Sequence, residues 1–365
     1  MSLRPSMRRT VAACACALAL LALAGPAAAL TTRCVGTSQQ LSDALAEASK
    51  AVADSLFVIK VREGTYTSTT SAPFELSMSR WEQLVEISGG WSGDGGACEH
   101  TNFDPSATTI AGSAAKRGLY FTFTTAFGQH LYLHDVTFTN AQFAEAAGGA
   151  CVFGSVMAGS IATVERVLFD DCRAPNGEHA AAQLVNAGEL TLRNVAVRSG
   201  TAAYNGGLLV YTHEAGTSHI AQVSVTGTQS TDAGAFGSGI VLMDFESAMT
   251  RLSNSVSWDN DVDGPDIWVH GPSVVLERVH YGSLGGTPDA NIAPGIGDPG
   301  FVAPGNPRPR PDSELVDSGV GTPAGGSGTF DADGHPRVQG AAVDVGAYEA
   351  APAPDAIFDD GFDAT

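Results

Sequence analysis

Lysine is nearly missing from this chain of 365 residues; only Lys50, Lys60 and Lys116 occur. Lys and Arg together number 19 against 39 Asp and Glu, a formal charge of -20. So little positive charge excludes a nucleic-acid binder, which needs a basic face to release phosphate counterions. Charge of either sign is scarce, at 16% of residues against a usual share of about 25%. Since 44% of residues are hydrophobic, the chain is not a disordered acidic polymer, which could not bury enough apolar surface to offset its lost entropy. Glu/Lys pairs are too few and glycine too frequent for long helical bundles. Nothing matches a phosphate loop, a Ser/His/Asp set or a zinc motif. What is abundant is glycine, 43 residues, where about 7% of a chain is usual. These features describe an acidic, strand-rich protein, long enough for one large domain or two small ones.

The N-terminus reads as an address. Arg4, Arg8 and Arg9 precede an apolar run from Val11 to Leu23, followed by Gly25-Pro26 and Ala27-Ala28-Ala29. That is the pattern of a cleaved secretory signal over residues 1–29, and the run is too short to span a bilayer. No later run is long enough either, so no transmembrane segment is expected. Export removes Cys14 and Cys16 and leaves Cys34, Cys98, Cys151 and Cys172 in an oxidising compartment. Four cysteines permit three pairings. Cys34–Cys98 with Cys151–Cys172 is favoured because each pair then lies within one segment.

One apolar signature recurs: Leu133-x-x-Val136-x-Phe138, Val164-x-x-Val167-x-Phe169, Leu192-x-x-Val195-x-Val197, Ile220-x-x-Val223-x-Val225 and Leu276-x-x-Val279-x-Tyr281. A variant, Leu252-x-x-x-Val256-x-Trp258, reads as carrying one extra residue. A second apolar strand precedes most of these, as in Gln183-Leu184-Val185 and Gly239-Ile240-Val241-Leu242. Inward residues on a strand recur every second position, so a three-residue step between anchors requires a corner. Asp135, Asn194 and Asn254 at the second corner position suit a left-handed backbone; Arg166, Gln222 and Arg278 do not follow that rule. Repeated short strands and corners in coils of this length predict a parallel β-helix, whose coils bury their apolar faces by stacking. An antiparallel sandwich, with tight hairpins at shorter spacing, is the alternative. Thr37 and Gln40 have capping-box spacing, and Leu41, Ala44, Leu45, Ala48 and Val52 fall on one stripe. They predict an amphipathic helix covering the first coil's edge.

The segments Val58–Tyr66, Ile87–Trp91, Asp104-Pro105 and Thr109–Gly112 resemble the opening coils of secreted bacterial right-handed β-helix proteins of the pectin-lyase-like superfamily. Leu315–Gly319, Asp331-Ala332-Asp333-Gly334-His335-Pro336-Arg337 and Val343–Glu349 resemble the end of the choice-of-anchor Q type of such proteins. Ala350–Pro354 reads as a semi-rigid linker. The tail Ile357–Asp363 is similar to an Ile-Phe-x-x-Gly-Phe-acidic motif ending many exported proteins of xanthomonad-type γ-proteobacteria. The resemblance implies a division into a signal over 1–29, a right-handed parallel β-helix with its cap over 30–306, the anchor-type region over 307–349, and linker and tail over 350–365. It also implies an extracellular or outer-membrane-associated place in a Gram-negative bacterium.

Chemistry is harder to find. Hydrolases of this shape need paired carboxylates, but Asp170 and Asp171 are adjacent and face opposite sides of a strand. Asp259, Asp261 and Asp263, followed by Gly264, match the first half of a Ca²⁺ loop but lack its closing Glu, since His270 stands there. Ca²⁺ is therefore the one cofactor with a candidate site. A second candidate is polar: His213, Glu214, Asp244, Glu246 and His270 each follow a second strand of successive coils and would stack. The reading is an exported, monomeric β-helix protein that binds a polysaccharide or a cell-surface glycan or protein. The alternative is a carbohydrate-active enzyme, a polysaccharide lyase or glycoside hydrolase.

Overall fold

Inward anchors of successive coils stack because their strands pair in strict register. The strands His130–Thr139, Ile161–Asp170, Glu189–Arg198 and Thr217–Thr226 run parallel, with Val136 beside Val167, Val167 beside Val195 and Val195 beside Val223. Leu133, Val136, Phe138 and their counterparts are buried in one continuous core. The computed structural model covers residues 29–69, 71–113, 116–126, 128–141, 148–232, 236–260, 264–287 and 297–350. It is a parallel β-solenoid of about eight turns and of the right-handed type, 50% strand and 6% helix. The long strands belong to one twelve-stranded sheet. Opposite them lies an eight-stranded sheet of short strands, among them Leu119–Phe123, Val152–Val156, Ala182–Asn186, Leu208–Thr212, Ile240–Asp244 and Ile267–His270. Gly154 sits inward in this sheet because a Cβ there would lie 2.1 Å from Phe121.

A single left-handed residue makes each corner. Asp135, Arg166, Asn194, Gln222, Asn254 and Arg278 have φ of 59°, 49°, 55°, 50°, 46° and 53°. Such a backbone costs a residue with a side chain about 1–2 kcal/mol. Every strand is hydrogen-bonded to neighbours that turn at the same place, so stacking imposes the bend on Arg and Gln as it does on Asn and Asp.

The coil at Leu252–Trp258 contains no extra residue, contrary to the sequence reading. Ile220 pairs with Leu252 and Val225 with Ser257, a constant offset. Ser255 and Ser257 therefore occupy the inward positions. The Ser255 hydroxyl accepts from the Val223 N–H and donates to the Ser253 carbonyl, and Ser257 donates to the Asp266 carbonyl. Val256 faces outward instead, buried against Leu315 and Val345.

What covers Val256 is the C-terminal segment, which lies across the outside of the long-strand sheet. Ala332, Ala347 and Tyr348 pack on Leu168 and Ala196. The corner side chains hold this strap by hydrogen bonds: Asn254 to both backbone groups of Val320, Gln222 to the Ser327 hydroxyl, and Asn194 to the Ser327 carbonyl. Within the strap, the Asp331 carboxylate accepts from the N–H groups of Asp333, His335 and Glu349, forming a turn at Asp331–Gly334. Gly334 takes φ +80° there. Asp344 accepts from the N–H groups of Asp317 and Ala350, and buried Arg337 donates to the carbonyls of Asp344 and Gly346.

At the other end, helix α1 (Ser38–Ser49) is capped by Thr37, whose hydroxyl accepts from the Gln40 N–H at 3.2 Å. Leu41, Ala44, Leu45 and Ala48 are buried, but Val52 lies beyond the helix and is 65% exposed, a correction to the predicted stripe. The helix packs on the strand Phe74–Met78, where its Ser49 hydroxyl accepts from the Ser77 N–H. Both expected disulfides form, Cys34–Cys98 and Cys151–Cys172, with Cα atoms 5.7 Å apart in each. With sequence separations of 64 and 21, chain-entropy arguments give them about 4 and about 3 kcal/mol. Disulfides of this kind belong to extracellular or periplasmic surroundings. No helix among the described residues is long and apolar enough to cross a membrane. Of the leader read over 1–29, only Ala29 is described, at the start of the edge strand Ala29–Val35; the tail from 351 onward also lies outside the described residues.

Candidate functional site

Register determines which side chains decorate the outside of the short-strand sheet. One outward row runs Tyr120, Phe153, Gln183, Leu209, Val241 and Trp268; the next includes Val185, Tyr211, Met243 and His270. These residues are far apart in sequence and brought side by side by the coils. Tyr120 and Phe153 stack with centroids 5.3 Å apart, and the Arg117 guanidinium lies 5.7 and 5.3 Å from those two rings while donating to the carbonyls of Gly148 and Gly149. Farther along, the rings of His213, Tyr211, Phe245, His270, Trp268 and Phe236 follow one another at 4.9 to 5.8 Å. Phe236 is 47% exposed.

Beside this ladder opens a cavity of about 410 Å³. Its apolar wall is Tyr204, Leu209, Tyr211, Phe236 and Met243; its polar side is Glu178, His179 and Gln183. His179 is buried, and burial pushes its pKa down to about 4, so the imidazole is neutral at ordinary pH. Its Nε2 faces the Glu178 carboxylate at 3.9 Å. Neither its Nδ1 nor the Gln183 Oε1 has a hydrogen-bond partner among the described residues. Both atoms lie beneath the cavity wall, covered by Gly148, whose added Cβ would meet Gln183 Oε1 at 2.4 Å and the His179 ring at 2.5 Å.

The residues singled out in the sequence divide between surfaces. His213 and His270 belong to the ring ladder. Glu214 and Glu246 are exposed at matching left-handed turn positions, with φ of 56° and 62°. Asp244 points into the solenoid, where its carboxylate accepts from the Thr250 N–H and hydroxyl; burial raises its pKa. Asp259 forms a turn whose carbonyl accepts from the Gly227 N–H, and Asp261 and Asp263 lie outside the described residues. Among the described residues, no group of three or more His, Cys, Asp or Glu is placed to hold a metal ion. Asp170 binds Arg198 and Asp171 binds Arg173, so each carboxylate has its own arginine.

A second cluster of charge lies under the strap. Burial pushes Asp135 up, but hydrogen bonds from His134 and Arg166 outweigh it and hold the carboxyl below its ordinary range. Glu165 behaves alike: burial is outweighed by Arg193 at 2.7 Å and Tyr132 at 2.5 Å. Phe103 and Phe330 stack on each other at 5.0 Å, and the Arg166 guanidinium lies 5.9 Å from each. With its partners inside the cluster, this group fastens the strap.

Sequence reasoning passed over Glu178, His179, Gln183, Tyr204, Tyr211, Phe236 and Trp268. The only local signal was aromatic residues at strand positions that would face outward once the register was known. Compared with protein-family models, curated proteins and solved structures, the chain matches none.

Proposed function

We propose that this is an exported glycan-binding protein that takes its ligand along the outer face of the short-strand sheet. The observation that carries the reading is the run of rings from His213 to Phe236 beside a cavity of about 410 Å³. A pyranose has an apolar C–H face that lies flat on an aromatic ring, while its hydroxyls need polar partners at the rim. A ring ladder with the exposed Glu178 at the rim of the cavity provides both. Residues 1–29 are taken as the export leader, consistent with two disulfides. Binding is preferred to hydrolysis because glycoside cleavage needs two converging carboxylates, and among the described residues Glu178 is the single carboxylate lining this cavity.

Isothermal titration against a panel of polysaccharides tests this. Aromatic side chains dominate such surfaces, so Trp268→Ala and Tyr211→Ala, at half-buried positions, should each weaken binding about tenfold or more while the variants remain folded by circular dichroism. Wild-type affinity in both variants, or release of new reducing ends by the wild type, counts against the reading.

A further inference from the structure

We infer that Cys34–Cys98 is a clasp on the first strand that thiols open, while Cys151–Cys172 stays closed. Exposure separates the two bonds. Cys151 and Cys172 are fully buried, and the Cys172 Sγ lies inside the solenoid, 3.9 Å from the Phe138 carbonyl oxygen. Cys34 is exposed and Cys98 half-buried, and the Cys34 Sγ lies at the surface, 3.3 Å from the Gly96 carbonyl oxygen. Exchange begins when a thiolate reaches one sulfur of the bond, so in the folded chain the first bond is open to attack and the second is not.

Charge favours the same step. Cations are scarce in this chain, 19 against 39 carboxylates, yet Lys60 and Arg62 flank this disulfide. Lys60 is the register partner of Cys34, and its Nζ donates to the Cys98 carbonyl at 3.4 Å. The Arg62 guanidinium lies between the two joined segments, its Nη1 3.6 and 3.5 Å from where a Cβ on Gly36 or Gly96 would stand. Cations attract an incoming thiolate and stabilise a departing one. A thiolate attacks the Cys34 Sγ, the S–S bond breaks, and Cys98 leaves as a thiolate beside Lys60. A second thiolate then attacks the mixed disulfide and frees Cys34. Two external thiols are oxidised to a disulfide, and their two electrons reduce the protein bond.

What the clasp holds is the edge strand Ala29–Val35. It pairs on one side only, with Ser55–Arg62, and of its seven residues Val35 alone is buried. Its other ties include the exposed Arg33–Glu47 ion pair and the Tyr66 hydroxyl, which donates to the Val35 carbonyl at 3.1 Å. With the bond open, little apolar surface keeps the strand in place. Its departure bares the backbone edge of Ser55–Arg62, whose Phe57, Ile59 and Val61 belong to the core. Such an edge is a template for another strand, so the clasp governs whether the solenoid's first coil is closed or open to pairing.

The test is graded reduction by glutathione and by dithiothreitol at neutral pH. It uses the chain purified after export, from which Cys14 and Cys16 are expected to be gone with residues 1–29. Freed thiols are alkylated and mapped by mass spectrometry. Cys34 and Cys98 should be labelled at least about tenfold faster than Cys151 and Cys172. Hydrogen exchange in residues 30–35 should then speed up about tenfold, while residues 130–139 and 161–170 keep their protection. Lys60→Gln should slow the opening several-fold at low salt, with the difference shrinking as salt screens the charge. Joint replacement, Cys34→Ser with Cys98→Ser, should give the fast exchange in 30–35 without any reductant. Equal labelling of the two pairs overturns the assignment. So does labelling of Cys34 and Cys98 with unchanged exchange in 30–35, since the bond would then be exposed but hold nothing. An unaltered opening rate in Lys60→Gln at low salt overturns the part given to charge.

Discussion

Arg278 and Asn194 occupy the same left-handed corner under different circumstances. Arg278 is exposed at φ 53°, whereas Asn194 is fully buried and donates to the Ser327 carbonyl. Glycine at Arg278 would remove about 1–2 kcal/mol of backbone strain and give back about 0.5–1 through the freer unfolded chain. Arg278→Gly should therefore stabilise the protein by about 0.5–1 kcal/mol, whereas Asn194→Gly should destabilise it through the lost strap bond. Urea unfolding of both variants decides this, and equal shifts of the same sign would refute the distinction. The corners also show what single residues disclose. Asp135, Asn194 and Asn254 advertise a left-handed bend through their own chemistry. Arg166, Gln222 and Arg278 bend because neighbouring coils bend, and no property of an isolated Arg or Gln reports that.

At the scale of elements, the strap joins three sequence segments through buried acids. Burial pushes Glu349 up to about 7 even though the Arg337 guanidinium lies 3.1 Å away, and burial likewise raises Asp331 and Asp344. An acid whose folded pKa is raised contributes fully below its unfolded value, here 4.5, and loses that contribution as pH rises through the folded one. Strap protection against hydrogen exchange should thus decline between about pH 4.5 and 7 and level off above, with Glu349→Gln flattening the profile. Protection that grows across that window would contradict the assignment. Asp135 and Glu165 act oppositely, being held low, so their contribution is lost only at more acid pH. The strap explains a misread element as well. Val256 resembles a core anchor from its neighbours in sequence, and only the covering Leu315 and Val345 make an outward valine sensible. Helix α1 and the short strands, by contrast, were legible because each buries its stripe against the solenoid core, which local periodicity records.

For the whole molecule, coil stacking makes stability a matter of neighbours, and the strap adds contacts that skip along the stack. Deleting residues 307–365 would bare Leu168, Ala196 and Val256 and take hydrogen-bond partners from Asn194, Gln222 and Asn254. Each hydrogen bond exchanged for one to water costs about 0.5–1.5 kcal/mol besides the apolar surface uncovered, against a typical total of about 5–15. The truncated chain should melt well below the full chain and bind a hydrophobic dye; an unchanged melting curve would show the strap to be ornamental. This scale also explains why the cavity was illegible in sequence. Glu178, Gln183, Tyr211, Phe236 and Trp268 become neighbours only through coils of unequal length, and one misplaced register turns an outward ring inward.

The strap has a mechanical consequence too. It touches Asn254, Gln222, Asn194 and Arg166 in turn, running back along the stack from late coils to early ones. A solenoid pulled along its axis would ordinarily peel one coil at a time, each rupture loading only the next. Here a tensile load has to shear a row of side-chain clasps together, as a seam does, before the coils that the strap crosses can part from one another.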